Sequence, residues 1–452
     1  MADIEKRLNK AGLIKAVTWD TEADCSAAGC GVTPLNPGAI KLNYPALEVD
    51  EIYGAFESDI ERANFNPSDF SLDFDYQWDG LENILLAMWF GTSAAPAPLF
   101  VVDATNNKID FSEGGAGLTG TVAPASYIGA TLATAIAAAM NGAIGKALTY
   151  TCTYDASTKK FTIGASNTFS ILWNTGTHKL VDISTMCGYS DAADDAAAAS
   201  YVSDTAAVGV AAYQHTMTMA DSTTGIFGTY AVEKKSKIHV VPSLKVMKLS
   251  LTQANGLIKL NAGCRGTKVI DDSAVVTSMS SLTYPAIRNR AKFLQAVFRM
   301  NAQTGDALAT GDIIKPKSFT LEPDRKMDSE HAAGSATIIE PRENGKPSVK
   351  LTMEFPRMDA VNELYFAHWI AKTEKKLDLT ITGPVILGTH AYLLKFELPR
   401  LTIEDVEYAD SNIIPSKIVM RSVVADSAPT GMTVTDPLTA TLINTRSTSL
   451  LA

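Results

Sequence analysis

The sequence predicts a mainly β protein in which one strand–helix unit occurs twice and a small α+β domain interrupts the first occurrence. Residues 69–76 and 349–355 alternate between apolar and polar side chains, which is typical of strands with one buried face. A stretch of helical periodicity follows each of them directly. Between residues 92 and 212 the composition changes to Ala, Thr and Gly, which indicates a separate domain.

The repeated unit is clearest in residues 348–372, where an alternating strand is followed by apolar side chains at helical spacing. Residues 69–91 show the same pattern. The helical parts align without a gap and place Trp89 opposite Trp369, and the strand parts align after a shift of one residue.

The flanks of the unit match as well. Residues 46–50 resemble 319–324, and residues 241–246 resemble 398–403. Four matched stretches in the same order favour an internal duplication over two unrelated strand–helix units.

The first copy is interrupted after its helix. In the second copy a few residues lead from the helix to the next strand at 377–382, whereas residues 92–212 lie at this point in the first. A loop between finished elements is where an inserted domain is tolerated. The predicted order is an N-terminal arm (1–40) with one helical turn at 4–14, the first repeat (41–91 and 213–270), the inserted surface domain (92–212), a connector (271–290), the second repeat (291–426) and a C-terminal tail (427–452).

Within the insert we expect a hairpin, a helix and alternating strands, at 99–103 with 108–111, at 126–141, and at 148–154 with 161–163, before an exit at 190–206. The first repeat then resumes with strands near 212–219, 230–241, 244–251 and 257–262. The tail is rich in Thr, Ser and Pro, so we expect it to lie on a neighbouring molecule or to be disordered.

Composition places the chain among ordinary globular proteins. Of its 452 residues 46% are hydrophobic and 19% charged, and no apolar run approaches the roughly 20 residues of a membrane span. The charged N-terminus does not resemble a secretory signal, and five scattered cysteines suit free thiols in a cytoplasm. A net charge of −10 argues against a surface that grips nucleic acid.

No motif predicts catalysis or a bound cofactor or metal. The glycines of residues 115–120 fit a dinucleotide fingerprint, but a strand-like stretch follows where a helix is needed. Cys25 and Cys30 have the wrong separation for a zinc site. Asp79 with Glu82 predicts a capped helix start rather than part of a calcium loop. We therefore expect a protein that is not an enzyme.

Several of these stretches resemble the tail tube protein family of long-tailed bacteriophages. The resemblance lies in residues 388–403 and 418–425, which are similar to its last strands, and in 358–372, which are similar to its helix. It covers about 41–91 and 213–426. The insert, above all residues 160–176, resembles a small Ala/Thr-rich β module that recurs in phage structural proteins.

This resemblance implies a β-sandwich flanked by a helix, whose inner strands join those of neighbours into a barrel. Rings of six such units stack into a tube through which the genome passes. A chain with two units would reach the same pseudo-hexameric ring as a homotrimer, with the insert on the outside. The implied partners are further copies of the chain, tape-measure, tail-terminator and tail-tip proteins, and double-stranded DNA in transit, with no membrane. The implied location is the virion tail, assembled in the host cytoplasm.

An acidic chain suits such a conduit, because a negative lumen repels phosphate. The candidate lumen-facing residues are the alternating polar positions of the matched strands, Glu48, Asp50, Glu322 and Asp324. We expect the connector or the termini to become ordered only when rings stack.

Two other functions remain open. The chain could be another tail ring component, such as a terminator or baseplate-proximal ring. It could also be a carbohydrate- or receptor-binding β-sandwich protein that stacks sugars on Trp173 and Tyr154 of the insert, although core packing is the commoner role of such side chains.

Overall fold

A computed structural model describes residues 10–37, 40, 46–48, 60–62, 68–234, 237–254, 256–284, 290–357, 363–408 and 416–451. Strands make up 48% and helices 11% of it, which confirms the mainly β fold. Asp50 lies outside the described residues, and Glu48 is described in its backbone alone.

The elements that precede the insert are five strands and one helix. These are β1 (Lys10–Ala16), β2 (Gly31–Val32), β3 (Ala46–Glu48), β4 (Ile60–Arg62), β5 (Ser68–Asp75) and α1 (Glu82–Phe90). The next stretch contains β6 (Ala97–Val102), β7 (Lys108–Ser112), β8 (Leu118–Thr121), β9 (Ala125–Ile128), α2 (Gly129–Asn141), β10 (Tyr150–Asp155), β11 (Lys160–Ile171), α3 (Ser184–Cys187) and β12 (Asp195–Val202).

The remaining elements complete the first repeat, form the second repeat and end with one strand of the C-terminal tail. The first of them are β13 (Val210–Thr218), β14 (Phe227–Lys234), β15 (Lys237–Ala254), β16 (Leu257–Gly266) and β17 (Ile270–Asp271). They are followed by β18 (Ala296–Ala302), β19 (Ile313–Ile314), β20 (Ser318–Asp324), β21 (Met327–Asp328), β22 (Arg342–Glu343), β23 (Ser348–Phe355), α4 (Leu364–Ile370), β24 (Lys375–Leu387), β25 (His390–Tyr408), β26 (Ser416–Ser422) and β27 (Thr439–Asn444).

The two halves share two strand pairings and the position of a β-bulge. In the β15–β16 ladder the register slips by one residue between Val246 and Lys248. In the β25–β26 ladder it slips at the matching place, between Ile403 and Asp405. β5 then pairs with β16 as β23 pairs with β26. Because a bulge sets the local twist of a strand pair, this agreement gives both halves the same local geometry.

One antiparallel sheet crosses from the first repeat into the second without a break. Its order is β5–β16–β15–β20–β23–β26–β25, and we call it the central sheet. The joint between the repeats is the pair β15–β20, where Leu251 lies opposite Leu321. Apolar side chains of one face, such as Leu72, Leu251 and Leu351, enter a single core shared by both repeats.

A second set of strands covers this core. β14 and β1 extend from the first part of β15, and β18 and β24 extend from the first part of β25. Helix α1 is buried along its whole length between the two sets. Its N-cap is Leu81, without a side-chain cap, so the predicted capping role of Asp79 is wrong. The Asp79 carboxylate accepts hydrogen bonds from the Tyr392 and Thr445 hydroxyls instead, at 2.7 and 2.8 Å.

The C-terminal tail is an internal strand of this fold. β27 lies between β13 of the first repeat and β25 of the second, and it pairs with both along most of its length. The expectation that the tail lies on a neighbour or is disordered is therefore wrong for this stretch. β13 and β27 lie far apart in the chain, with a separation of 229 residues between His215 and Asn444. Local composition therefore does not reveal that they pair.

The N-terminal arm also differs from the prediction. Residues 10–16 form β1, which pairs with β14 over its full length, in place of the helical turn expected at 4–14. A close approach favours Gly12 here, because a Cβ atom would overlap the Cys25 carbonyl oxygen. Residues 1–9 lie outside the described part of the chain.

The insert has its own apolar core around Phe111, Ile136, Phe161 and Trp173, beneath helix α2. The predicted hairpin is wrong, because β6 pairs with β9 and β13 whereas β7 pairs with β8 and β11. The helix begins three residues later than predicted, since residues 125–128 form β9.

Two further stretches differ from the prediction. The stretch 230–241, expected to be one strand, belongs to two, β14 and β15. β15 then continues through Pro242, where a break was expected, because the proline coincides with a register shift against β14. In the connector, Val276, Met279 and Leu282 are buried in a small apolar cluster with Cys25 and Cys30. The structure thus orders this part of the connector within a single chain.

Candidate functional site

Within the described residues, no group of three or more His, Cys, Asp or Glu side chains is placed to hold a metal ion. All five cysteines are free thiols and four of them are buried. Burial raises the pKa of the Cys25 thiol to about 12, which leaves it unreactive at neutral pH. No helix in the described part of the chain is long and apolar enough to cross a membrane.

The aromatic residues considered for sugar stacking belong to the core of the insert. Trp173 is buried, stacks on Tyr189 at 5.1 Å between ring centroids, and donates its indole N–H to Asp195 at 3.0 Å. Tyr154 packs against Phe161 at 4.8 Å. Neither ring forms an exposed platform, so these two residues do not favour a carbohydrate-binding function.

The surface that stands out is the outward face of the central sheet, which we call the polar sheet face. On β20, Phe319, Leu321 and Pro323 face the core, whereas Glu322 is exposed and Asp324 half-buried on the opposite side. The same alternation runs through the neighbouring strands. Two of the four predicted acids thus share one face of a sheet that spans both repeats.

The polar sheet face carries opposite charges on adjacent strands. Arg265 binds Asp69 at 2.6 Å, and Lys259 lies 3.5 Å from Asp75. Across the joint between the repeats Lys248 lies opposite Asp324, and on the next strand pair Lys350 lies opposite Glu322. Cross-strand pairs of this kind stabilise a sheet modestly.

The pairing continues on the last two strands. The Lys417 ammonium lies 3.0 Å from the Glu407 carboxylate, and Arg421 binds Glu404 at 2.6 Å. The hydrogen bond from Lys417 lowers the pKa of Glu407, and the bond to Glu407 raises the pKa of Lys417. The face is therefore mixed in charge, whereas the sequence analysis named acids alone. The lysines and arginines occupy alternating positions of the partner strands. The sequence could have identified them only with knowledge of which strands pair.

A groove of about 470 Å³ lies on this face where the two repeats meet. Lys248, Lys326 and Lys350 line it together with Glu322 and Asp324. Opposite charges thus line the groove at the joint.

Beneath this joint, the buried guanidinium of Arg325 links the two repeats. It donates hydrogen bonds to the carbonyl oxygens of Trp89 at 2.9 Å, Phe90 at 2.7 Å and Ala220 at 2.7 Å. Two of these carbonyls end helix α1, where the helix dipole favours a cation. Burial lowers the pKa of Arg325, and the nearby Glu343 carboxylate opposes that shift.

Two acidic residues of the second repeat hold a turn of the first. The Thr223 N–H donates to Glu343 at 2.9 Å, and the Gly225 N–H donates to Glu340 at 2.7 Å. Buried Lys245 pairs with Glu340 and also donates to the Thr223 carbonyl at 2.9 Å. Because buried charges need such partners, these contacts define one relative placement of the repeats.

Within the described residues, the central sheet ends at a strand edge that pairs with no further strand, which we call the unshared edge. All pairings described for residues 402–408 of β25 are with β26. The matching residues of β15, by contrast, pair with β16 on one side and with β20 on the other. The sequence counterpart of β20 in the first repeat is β3, whose described pairing is with β4.

No protein-family model matches the chain. No curated protein matches it either. Among solved structures, it is similar to a chain of the virion of a native gene transfer agent particle, with 12% identity and a TM-score of 0.23 over 30% of this chain and 95% of that chain. A chain of the anti-feeding prophage baseplate has 12% identity and a TM-score of 0.24 over 31% of this chain and 93% of that chain.

Proposed function

We propose that this chain is a virion structural protein, the major tail tube subunit of a long-tailed phage, and that it forms stacked rings around a conduit for DNA. The observation that carries the proposal is the β15–β20 joint, through which one sheet with a polar outer face passes from repeat to repeat. A sheet that already continues across one joint can continue across a second joint of the same kind.

The unshared edge of β25 supports such continuation. An exposed strand edge promotes association with other strands, and closure into a ring removes it. In the repeat alignment, residues 402–408 correspond to residues 245–251 of β15, which include Lys248 and Leu251 of the internal joint. β3 of a second chain would pair there as β20 pairs with β15. Repetition of this contact is head-to-tail, which produces a closed ring when the rotation from chain to chain closes on itself.

The duplication supports a ring of three chains. Each chain contributes two copies of the same strand order, so three chains supply the six units that the resemblance to tube proteins implies. The insert, with a core of its own, would decorate the outside of the ring. Other tail components, namely tape-measure, terminator and tail-tip proteins, would bind at the ends or inside.

The charge pattern of the polar sheet face suits a surface along which DNA moves. Binding to DNA is driven by cations that replace the counterions of phosphate. The cations described above, such as Lys350 and Arg265, already face carboxylates of the same sheet. Glu322 and Asp324 would then line the lumen, and Glu48 and Asp50 would occupy the corresponding positions of the first repeat.

Electron microscopy of negatively stained purified protein, together with native mass measurement, tests this function. We expect hollow tubes, or rings with the mass of three chains. Rings that never stack would indicate a terminator or baseplate-proximal component instead. Monomers at high concentration would contradict the proposal.

A further inference from the structure

The exposed apolar side of α4 has a buried counterpart elsewhere in the same chain. We infer that this side is the docking surface for the first repeat of a second copy of the chain, arranged as α1 is arranged against the second repeat. The inference rests on the proposed ring and names the surface that joins its subunits.

The two helices align residue for residue, so their environments can be compared directly. Ile84, Leu86 and Phe90 of α1 correspond to Leu364, Phe366 and Ile370 of α4. The α1 residues are 5%, 3% and 0% exposed, whereas the α4 residues are 49%, 42% and 69% exposed. The same positions of one repeated helix are therefore covered in the first repeat and uncovered in the second.

The second repeat covers part of α1. Leu86 lies with Leu321 and Pro323 of β20 and with Leu394 and Phe396 of β25 around one small apolar space. Arg325, the residue after β20, contacts the last turn of the helix. A helix of this fold thus packs on its own sheet with one side and on the following repeat with the other.

Within the described residues, no repeat follows the one that contains α4. The repeat that would follow in a head-to-tail ring is the first repeat of another copy. In that copy, the residues that correspond to Leu394 and Phe396 are Lys237 and His239 of β15, and the structure leaves both of them partly exposed. Their aliphatic and imidazole surfaces can pack on the Phe366 ring. In the single chain both side chains lie against Asp271, and each keeps an exposed part that such a contact can use.

The position of α4 also favours a second copy over an unrelated protein. The Phe366 ring lies 6.3 Å from the ring of Tyr408, the last residue of β25. The uncovered side of the helix and the unshared edge of β25 therefore adjoin each other. A second copy would cover both with its first repeat, as the second repeat covers α1 and extends β15 within one chain.

The test is a pair of charge substitutions on this surface. We expect Phe366→Asp with Ile370→Asp to fold as a monomer, because both side chains are exposed in the single chain. We expect the concentration needed for ring formation, measured by sedimentation equilibrium, to rise by roughly tenfold or more. The matched control is Ile144→Asp in the insert, at a residue that is 96% exposed, and it should assemble like the wild type. Phe366→Leu, which installs the α1 residue, should also assemble.

Hydrogen exchange supplies a second readout. On assembly, α4 amides should become protected, whereas α1 amides should be protected before and after. If the double variant forms rings with wild-type mass and wild-type concentration dependence, the docking surface is wrong although the tube function stands. If the wild type itself never assembles, the proposed function fails first.

Discussion

A single guanidinium group, that of Arg325, holds the end of a helix that belongs to the other repeat. Its three carbonyl partners and its position 5.1 Å above the Trp89 ring leave it fully enclosed. Arg325→Met would remove the guanidinium from those carbonyls and from Glu343, although Glu343 keeps its hydrogen bonds from Thr223. We expect the free energy of unfolding to fall by about 3–5 kcal/mol, measured by urea denaturation. Arg325→Lys should be nearly as unstable as Arg325→Met, since an ammonium group cannot reproduce the planar fork of donors of a guanidinium group. The control is Lys326→Met, at the exposed neighbouring residue. If Arg325→Met lowers the free energy of unfolding by no more than Lys326→Met does, this role of Arg325 is contradicted.

Glu82 at the start of α1 makes stability depend on pH. Burial raises the pKa of its carboxyl group from 4.5 to about 7, although the Gln77 N–H donates to it at 2.6 Å. The folded chain therefore binds this proton more tightly than the unfolded chain. Its contribution to the free energy of unfolding is largest below about pH 4.5 and is lost as pH rises towards 7, by roughly 3 kcal/mol at most.

Glu82→Gln keeps an acceptor oxygen for Gln77 but removes the ionisation. Unfolding free energies at pH 5 and pH 8 should differ less in this variant than in the wild type. Glu322→Gln, at an exposed site, serves as the control. Equal pH dependence in wild type and Glu82→Gln would show that this carboxyl group does not titrate as described.

Single residues also show which contacts the sequence could predict and which it could not. The spacing of Asp79 and Glu82 correctly marked the approach to a helix, and Glu82 does accept a nearby backbone N–H. Asp79 instead binds Tyr392 and Thr445, hundreds of residues away, and no local pattern encodes those partners. The candidate lumen acids Glu322 and Asp324 could be placed on one strand face by alternation, whereas Lys248 across from Asp324 required the strand order.

At the scale of elements, β27 is the strand on which both repeats depend. It supplies the hydrogen-bonding partner of β13 and of part of β25, and Leu442 enters the shared core. Deletion of residues 427–452 should therefore prevent folding. Leu442→Ala should lower the free energy of unfolding by about 2–5 kcal/mol, measured by urea denaturation. A truncated chain with wild-type circular dichroism and a cooperative melt would refute this assignment.

Paired cysteines can compare the internal joint with the proposed joint between chains. Thr252 and Thr320 lie directly opposite on β15 and β20, so Thr252→Cys with Thr320→Cys should form a disulfide within one chain. By the repeat alignment, Tyr408 and Leu47 are the counterparts of the opposed residues Leu251 and Leu321. Tyr408→Cys with Leu47→Cys should therefore link chains to one another.

Oxidised samples on a non-reducing gel should show species of up to three linked chains for the second pair. Either substitution alone is the control for the native thiols. If only linked pairs of chains appear, with none larger, β25 and β3 would join in a two-fold contact and the head-to-tail ring would be wrong.

Strong local periodicity made the repeated strand–helix units predictable, and the helix at 129–141 of the insert as well. β1, β27 and the partners of β6 were missed because their pairing is long-range. A strand of seven residues such as KAGLIKA has little alternation of its own, and its partner β14 determines its conformation.

For the whole molecule, the balance of charge on the polar sheet face predicts weak affinity for DNA. Assembled rings should not retain labelled duplex DNA at physiological salt, as measured by fluorescence anisotropy. Glu322→Lys with Asp324→Lys removes the carboxylates opposite Lys350 and Lys248, so DNA should then bind with steep salt dependence. A charge reversal on the insert, Asp103→Lys, should leave binding weak. Tight binding by the wild type would argue against a conduit surface.

The position of β27 in the chain also affects the timing of folding during synthesis. The strands that it joins, β13 and β25, are both made earlier, yet neither has its final neighbour until Asn444 has left the ribosome. A nascent chain that ends before this point cannot complete the shared core. Prematurely terminated translation products would therefore be excluded from the proposed ring, which a single defective subunit would interrupt.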